Sequence, residues 1–539
     1  MKTFQFILLA WIAGAQGLRA DPMISSWFTR NSGTHARVIQ TTSTTTGTQN
    51  TTPVTTWPTA GLPNNNTGGL AQTVPAYADV LRVRHDADWV YVNASGLASH
   101  TMGPFLTKQP GALFGFWPVA QNYLAKLPRN PGTPPVNKTT HGGGLIGLMV
   151  NGVGIYDLGD AFGFVQTASS PVTGSDAMGN TNATHPWWRD ALSVEVVTFD
   201  PGFAHQPGIN GQYHYHAEPK ALRYQLGDNM QAIYDATNHT YSYIEDTSNL
   251  HHSPILGWSF DGYPIYGPYG YSSPLNSAST VTRMRSGFVL RDGGNGTTNL
   301  RSNGRTTLPK WAAIAEGFAT PANYASQTLS NGDYVLASAT LHGPATTYTT
   351  TGPQGATYSL GRYIGDYDFL GDRGKNQGTD FDLDVYNGRT CVTPEFPGGT
   401  YAYFVSLDAT GNPAFPYMLG KQYYGTKTGT TTGVTVPATG VTESFNSTTV
   451  TETWLGDPVV TSSNGNVTLT WSALEGGTYK VESSADLSTW NTLQSAVPGP
   501  NNTALPAPAS VITTTSFTDS GAAVPETNPR RFYRVKRNP

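Results

Sequence analysis

At 539 residues and 57.6 kDa the chain is too long for one ordinary hydrophobic core, so its length indicates two or more domains. Charged residues make up only 12% of the chain and the net charge is −4, a balance that gives no field to attract nucleic acid or an anionic membrane. The one cysteine, Cys391, excludes both a disulfide framework and a cysteine-based metal cage. The 60 glycines, 38 prolines and 28 tyrosines favour turns and strands over helices.

Residues 1–20 have the pattern of a signal peptide. Lys2 precedes an apolar run at residues 6–14, and small residues follow at Ala15, Gly17 and Ala20. The apolar run falls short of the about 18 residues of a membrane-spanning helix, and no comparable run occurs later. We therefore expect an exported protein, secreted or periplasmic or held at the cell surface, with no transmembrane segment in its mature form.

Residues 21–425 form the first predicted domain, in which short apolar and aromatic runs are separated by Gly, Pro, Asn and Asp. Such runs predict strands at residues 89–92, 145–150, 288–290 and 401–405. Two helices are predicted at residues 219–226 and 309–316, because each segment opens on proline and is followed by glycine. The pattern predicts a mainly β fold with a few short helices. Cys391 alternates with its neighbours as in a strand and is predicted to be a small core residue.

The rest of the chain is predicted to hold a linker and a second domain. Residues 426–457 are rich in Thr and Gly with almost no charge, which is typical of a linker, although residues 434–441 could form a strand. In residues 458–539, apolar and polar residues alternate at 467–471, 479–483 and 531–535. This pattern predicts a small C-terminal β-sandwich.

The tetrapeptide at residues 213–216 is the strongest indication of a functional site. On a strand, Tyr213-His214-Tyr215-His216 sends its two imidazoles to one face and its two phenols to the other. The histidines would lie about 6.6 Å apart at the backbone, close enough for their rings to meet on one ion. Neutral imidazoles suit zinc or copper, so a transition-metal site at His214 and His216 is predicted. A histidine general base without metal is the rival interpretation.

Other residues are candidates to complete such a site. His252 and His205 are predicted as further metal ligands, and His100 is a weaker candidate. Tyr213, Tyr215, Asp261 and Tyr263 are predicted to contact a ligand, which we expect to be a small molecule or a glycan. Asp261 and Tyr263 belong to an aromatic, glycine-rich segment, and such a segment is also typical of a tight turn packed by tyrosines.

A second candidate metal site is acidic. Asp380, Asp382 and Asp384 alternate in one loop and could bind calcium, with Asp366, Asp368 and Asp372 upstream. The spacing is not that of an EF-hand, since Val385 stands where glycine is needed, and a solvated acidic loop is the alternative. Residues 142–147 match a dinucleotide-binding glycine pattern by letter, but no βαβ unit surrounds them. They predict a glycine turn that enters a strand.

Several blocks in one order resemble the YHYH-domain family of exported, mostly bacterial proteins. They lie at residues 211–219, 252–258, 261–270, 380–384 and 393–404, and the resemblance runs from about Trp27 to about Gly425. It implies export and the importance of Tyr213, His214, Tyr215 and His216, with His252 and Asp261 in the neighbouring blocks, but it implies no reaction. The tail, with its blocks at residues 479–490 and 531–535, is similar to fibronectin type III-like modules of exported proteins from Verrucomicrobia-like bacteria.

Two functions of different class are therefore predicted. The first is an exported metal-binding protein that acts as a metal-dependent hydrolase, through an activated water, or as an oxidoreductase if the metal is copper. The second is a non-catalytic surface module that binds a glycan or a protein partner through its tyrosines and tryptophans. Retention of stoichiometric metal after dialysis distinguishes the two.

Overall fold

A computed structural model describes most of the chain between residues 21 and 537. The described residues are 21–29, 31, 36, 38, 76–106, 116–179, 186–235, 240–317, 324–350, 356–447, 459–463, 466–473, 478–498, 513–520 and 531–537. The predicted signal peptide at residues 1–20 lies outside them.

Short strands dominate the structure, as the composition predicts. In the first 447 residues they are β1 (Val80–His85), β2 (Trp89–Ala94), β3 (Tyr123–Pro128), β4 (Leu145–Met149), β5 (Gly154–Tyr156), β6 (Gly159–Ser169), β7 (Val172–Met178), β8 (Trp188–Asp190), β9 (His214–Tyr215), β10 (Met230–Asp235), β11 (Thr240–Glu245), β12 (Ile255–Ser259), β13 (Pro264–Tyr266), β14 (Tyr269–Tyr271), β15 (Val281–Arg283), β16 (Phe288–Leu290), β17 (Thr307–Leu308), β18 (Tyr324–Thr328), β19 (Tyr334–Leu336), β20 (Tyr367–Phe369), β21 (Gly388–Cys391), β22 (Thr400–Phe404) and β23 (Thr442–Asn446). The strands nearest the C-terminus are β24 (Val459–Ser463), β25 (Asn466–Ala473), β26 (Thr478–Ser484), β27 (Asn491–Pro498), β28 (Thr513–Asp519) and β29 (Phe532–Arg537).

Helices in the described residues are few and short. The α-helices are α1 (Pro22–Ser25), α2 (Ala191–Glu195), α3 (Lys220–Gln225), α4 (Leu300–Asn303) and α5 (Lys310–Ala315). Single turns of 3₁₀ helix lie at Val196–Thr198, Gly294–Gly296, Ala339–Leu341, Ile364–Asp366 and Leu370–Arg373. Helices α3 and α5 confirm the two predicted from their opening prolines. Among the described residues, none of these helices has the length and apolar character needed to cross a membrane.

A seven-stranded sheet forms the centre of the first domain, in the order β21-β22-β13-β12-β4-β5-β9. Its side chains supply much of the largest buried apolar cluster, which includes Cys391 as predicted. Strand β9 lies at one edge and pairs in parallel with β5, so that Gly154 is opposite His214 and Ile155 is opposite Tyr215. The histidine motif therefore lies on the last strand of the main sheet.

The glycines at residues 142–147 have two different structural roles. Gly147 lies inside β4, where an added Cβ would be 2.5 Å from the carbonyl oxygen of Trp258 in the neighbouring strand. Only glycine allows that close approach of two backbones. Gly142, Gly143 and Gly144 come before the strand, as predicted for a glycine turn, and stay outside the sheet.

A smaller sheet with the order β7-β6-β8 leads into helix α2. Asp190 ends β8 and caps α2, because its side chain accepts a hydrogen bond from the backbone N–H of Ser193. Five residues later the helix ends at Glu195. The cap thus fixes the start of α2 and, through the length of the helix, the position of Glu195 at its end.

Part of the segment predicted as a linker extends a sheet. Strand β23 pairs with β1 in antiparallel fashion in the sheet β23-β1-β2-β3, with Phe445 opposite Val83. Further upstream, the carbonyl oxygen of Thr430 accepts a hydrogen bond from the backbone N–H of Lys126. These residues contact the first domain, so the domain boundaries remain a prediction.

Near the C-terminus, two three-stranded sheets, β24-β25-β28 and β27-β26-β29, share one cluster of buried apolar side chains. The members of that cluster are Leu469, Trp471, Tyr479, Val481, Val497 and Val535. Two sheets joined by one apolar core are what the predicted β-sandwich requires. The resemblance to fibronectin type III modules stays a prediction.

Candidate metal centre

Three histidine side chains converge at the edge of the central sheet. One ring nitrogen from each of His205, His214 and His216 lies within 4.8 Å of the other two, and all three residues are buried. The shortest separation is 3.0 Å, between Nε2 of His214 and Nε2 of His216. Among the described residues this is the one group of three or more histidine, cysteine or carboxylate side chains that is spaced to hold a metal ion.

The backbone around β9 accounts for this convergence. Alternation along the extended chain places His214 and His216 on one side, as the tetrapeptide predicts, with their ring centroids 4.8 Å apart. His205 is brought in by an antiparallel bridge: the backbone N–H of His214 donates to the carbonyl of His205 at 2.9 Å. The segment from His205 to His214 is thus a loop whose two end residues are joined by backbone hydrogen bonds.

Each of the three rings is oriented by a hydrogen bond at Nδ1. His214 donates to the carbonyl of Gln212 at 2.7 Å, and His216 donates to the carbonyl of Asp157 at 2.7 Å. For His205 the partner is the Thr198 hydroxyl oxygen at 2.7 Å. Since that hydroxyl donates its own proton to the carbonyl of Glu195, it accepts from His205. A proton on Nδ1 leaves Nε2 as the atom that can bind a metal, which is how histidine ligands are usually oriented.

A carboxylate that the sequence interpretation missed completes the cluster. Oε2 of Glu195 lies 3.1 Å from Nε2 of His216 and 3.4 Å from Nε2 of His205. This buried oxygen has no other donor among the described residues. Glu195 comes from the end of α2, in a segment without a recognisable motif, so only the fold brings it to the histidines.

The pKa values of the cluster follow from burial and from mutual contact. Burial, with His205 and His216 nearby, lowers the pKa of His214 well below its usual range, and burial also lowers the pKa of His205. Burial disfavours the charged form of His216 too, but the Glu195 carboxylate outweighs it and raises the pKa of His216. Burial likewise opposes ionisation of Glu195, yet its contacts with His205 and His216 hold its pKa well below the usual range. His216 and Glu195 therefore favour each other's charged forms.

The spacing suits a first-row metal ion. A tetrahedral zinc site has Zn–N bonds of about 2.0–2.1 Å, which places neighbouring ligand atoms about 3.3 Å apart. The 3.0 Å between Nε2 of His214 and Nε2 of His216 lies close to that value, and the ring nitrogen of His205 lies within 4.8 Å of both. Three imidazoles, with no sulfur, suit Zn²⁺, Cu²⁺ or Fe²⁺ better than a thiolate-seeking ion.

The cluster forms the floor of a pocket of about 590 Å³. Its walls come from Gly142, Gly143 and Gly144, from Tyr156 and Trp188, and from Gln206. The ring of Tyr156 stacks on His214, with centroids 3.8 Å apart. The Glu195 side chain is 26% exposed, so the pocket gives access to the cluster from outside.

Tyr213 and Tyr215 point away from the pocket into the main core. Both are fully buried. The Tyr213 hydroxyl donates to Asp200 at 2.7 Å, and the Tyr215 hydroxyl pairs with Nε2 of His100 at 2.8 Å. The motif thus has one polar face and one packed face. The structure does not bring these two predicted ligand contacts, or His100, to the cavity.

The structure does not bring His252 to the cluster either. Its ring lies among Tyr266, Tyr271 and Phe404, and its Nδ1 donates to the carbonyl of Ser253 at 2.8 Å. It is absent from the residues that line the pocket. The block that contains His252 therefore contributes to packing around the sheet.

Asp261 and Tyr263 lie in the turn between β12 and β13, again away from the pocket. Asp261 is buried and accepts hydrogen bonds from the Tyr403 hydroxyl at 2.6 Å and from the backbone N–H of Gly425 at 2.8 Å. The Tyr263 ring packs against Tyr401 and Tyr424. This is the tyrosine-packed tight turn that the sequence left open as an alternative.

The three aspartates of the acidic loop have separate partners. Asp380 accepts from the backbone N–H of Asn376, and Asp382 forms an ion pair with Arg285 at 2.9 Å. Asp384 accepts from the Tyr401 hydroxyl at 2.9 Å and from backbone N–H groups. The upstream carboxylates Asp366, Asp368 and Asp372 pair with Arg305, Arg373 and Lys310. The geometry gives the predicted calcium cage no support.

Fold and site together define a mainly β protein with a buried three-histidine cluster at the edge of its central sheet. The family model described as YHYH protein matches residues 124–417, more than half of the chain. The chain therefore belongs to the YHYH family, as its motif blocks indicated. No curated protein and no solved structure matches the chain.

Proposed function

We propose that this YHYH protein is a metal-dependent hydrolase whose ion is held by Nε2 of His205, His214 and His216. The observation that carries the proposal is the orientation of the three rings. Each Nδ1 is engaged by an acceptor, and the three remaining nitrogens face one another beside a carboxylate. Unprotonated nitrogens that face one another repel unless a cation or a shared proton lies between them.

The open pocket favours catalysis over a structural role. Catalytic zinc sites keep three protein ligands and leave one position for water or substrate, and three histidines are one such set. When bound, the ion would lower the pKa of a water molecule and polarise a substrate carbonyl. The residues of the chain would hold and orient the substrate in the cavity above Tyr156 and Trp188.

Glu195 has the position of a general base in this proposal. Its Oε2 is within 3.4 Å of two of the three histidine nitrogens, and its low pKa keeps it ionised. A carboxylate there accepts a proton from a water molecule at the same centre and returns it to the leaving group. Its partial exposure lets the proton exchange with solvent through the pocket.

Metal content tests the proposal first. Full-length protein incubated with zinc and then dialysed should retain one ion per chain, measured by elemental analysis, and should hydrolyse a simple ester such as p-nitrophenyl acetate. His205→Ala should lose the ion and the activity. His252→Ala, which removes a buried histidine outside the cluster, should keep both. Retained zinc in His205→Ala would contradict the proposal.

A copper oxidoreductase is a second candidate, because three imidazoles without sulfur ligands suit Cu²⁺ as well as Zn²⁺ and copper binds such sites more tightly. Zinc-loaded and copper-loaded protein, each assayed for ester hydrolysis and for oxidation of a phenol by O₂, separate the candidates. A non-catalytic binding module, the alternative from the sequence, would retain no stoichiometric metal. Export and any glycan partner remain proposals that localisation and binding assays would test.

A further inference from the structure

We infer that Gln206 determines the specificity of the pocket, by accepting a hydrogen bond from an N–H or O–H group of the ligand. The inference rests on the proposed metal site and names the chemical class of ligand that reaches it. Gln206 follows His205 directly in the chain and lines the same cavity.

The orientation of the Gln206 amide is determined by its surroundings. The side chain is fully buried, and its Nε2 donates to the carbonyl of Phe116 at 2.7 Å. Because a carbonyl can only accept, the terminal atom that faces Phe116 is the amide nitrogen, and the other terminal atom of the side chain is the oxygen Oε1. That Oε1 atom has no donor among the described residues.

A buried acceptor without a donor is costly, and native structures rarely leave one. A ligand that brings an N–H or O–H group to Oε1 removes that cost, whereas a ligand without a donor leaves it in place. Sites of this kind reject analogues that lack the donor much more strongly than an apolar pocket rejects a missing methylene. Gln206 therefore selects by hydrogen bonding and not by size.

The remaining polar side chains of the wall also favour a ligand that carries hydrogen-bond donors. Arg189, the cation on the wall, pairs with Asp160 and Asp176. The Tyr156 hydroxyl donates to Gln212. Among the described wall residues, the buried side-chain atoms that lack a hydrogen-bond donor outside the histidine cluster are thus two acceptors, on Gln206 and Glu195. Acceptors favour amides and hydroxyl compounds over carboxylates and phosphates.

The experiment uses the full chain loaded with Co²⁺ and two small metal-binding probes. Acetohydroxamic acid carries an N–H group, and N-methylacetohydroxamic acid lacks it. Binding is followed through the visible spectrum of the cobalt ion. In the wild type we expect the first probe to bind about 5–100-fold more tightly, the range of one hydrogen bond to a buried acceptor.

Two variants and one control assign that preference to Gln206. In Gln206→Met and in Gln206→Asn, whose amide is one methylene shorter, the ratio of the two dissociation constants should fall to about 1. Gln225→Met removes an equally buried glutamine that does not line the pocket and should keep the wild-type ratio. The cobalt spectrum and the melting temperature verify the site and the fold of each variant.

The outcomes separate this inference from the proposed function. If Co²⁺ gives no ligand-field spectrum in the wild type, the metal site itself is wrong. If the spectrum is present but the wild type does not distinguish the two probes, the inference about Gln206 is overturned. An unchanged ratio in a folded Gln206→Asn or Gln206→Met protein would overturn it too.

Discussion

The histidine cluster and the acidic loop start from similar patterns and end with opposite geometries. In both, metal-binding residue types alternate along a short segment, at His214 and His216 and at Asp380, Asp382 and Asp384. The histidine nitrogens meet within 4.8 Å. The aspartates are each occupied by Arg285, Tyr401 or backbone N–H groups.

The difference shows that spacing alone does not make a metal site. What matters is whether the donor atoms have other partners once the chain has folded. In the histidine cluster the Nδ1 atoms use the available acceptors, and this leaves the Nε2 atoms directed at one another. In the acidic loop the fold supplies N–H and O–H donors to each aspartate, and the described residues of the loop form no group of three carboxylates spaced to hold an ion.

The largest expected effect is the loss of zinc affinity in His214→Ala/His216→Ala. Altering an outer partner of a ligand typically costs about 10–100-fold, so removal of two ligands should cost at least about 10³-fold. Competition with a chromophoric chelator measures the dissociation constant. Asp380→Asn/Asp382→Asn, the matched change in the acidic loop, should leave it within about threefold of the wild type. A larger loss of zinc affinity in the acidic variant than in the histidine variant would show that the ion binds at the acidic loop and not at the histidines.

The next largest effect concerns Glu195, whose substitution distinguishes zinc binding from catalysis. Glu195→Gln keeps the size of the side chain but removes the base, so ester hydrolysis by the zinc-loaded protein should fall about 10²–10⁴-fold. Zinc affinity should change by less than about tenfold, because the three histidines remain. Steady-state rates and a zinc titration of the same samples give both values. Full activity in Glu195→Gln would remove the base from the proposed mechanism.

A pH dependence should appear in the acidic loop. Burial raises the pKa of Asp384 to about 6, despite hydrogen bonds from Gly388 and Tyr401. A folded-state pKa above the unfolded value of about 3.9 means that its stabilising contribution is present at low pH and is lost as the pH rises through about 6. Relative to Asp384→Asn, the wild-type free energy of unfolding should fall by roughly 2 kcal/mol between pH 4 and pH 7. Urea unfolding at several pH values measures the difference, and parallel curves would refute the assignment.

The smallest predicted effect tests the access route to the histidines. An added Cβ at Gly142 meets nothing within 4 Å, and the residue does not have a left-handed backbone, so the fold should accept Gly142→Trp. Because Gly142 lines the pocket, the indole should obstruct the substrate and lower ester hydrolysis about tenfold without loss of zinc. Gly132→Trp, at an equally open position outside the pocket, should have normal activity. Equal activity of the two variants would show that the substrate does not pass the glycine turn.

The sequence predicts local features of this protein well. The alternation in Tyr213-His214-Tyr215-His216 places the rings on their correct faces, and the prolines before Lys220 and Lys310 give the starts of α3 and α5. The run at residues 288–290 is strand β16. These features depend on neighbours in the chain, which a single sequence displays.

Long-range contacts could not be predicted in the same way. Glu195 reaches the cluster through a capped helix, and Gln206 reaches the pocket wall beside the backbone bridge of His205; neither lies in a recognisable motif. His252 looked equivalent to His205 as a candidate ligand, but the fold sends it among aromatic rings. The strand β23 pairs with β1 across more than 350 residues of chain, so the Thr-rich segment around it resembles a linker until the partner strand is known.

Anomalous X-ray scattering from crystals of the zinc-loaded protein tests the central claim most directly, since it locates the ion without any assumption about activity. We predict one strong peak at about 2.0–2.1 Å from Nε2 of His205, His214 and His216, next to the Glu195 carboxylate. A fully zinc-treated crystal with no peak there, or with its peak at the acidic loop, would contradict the account.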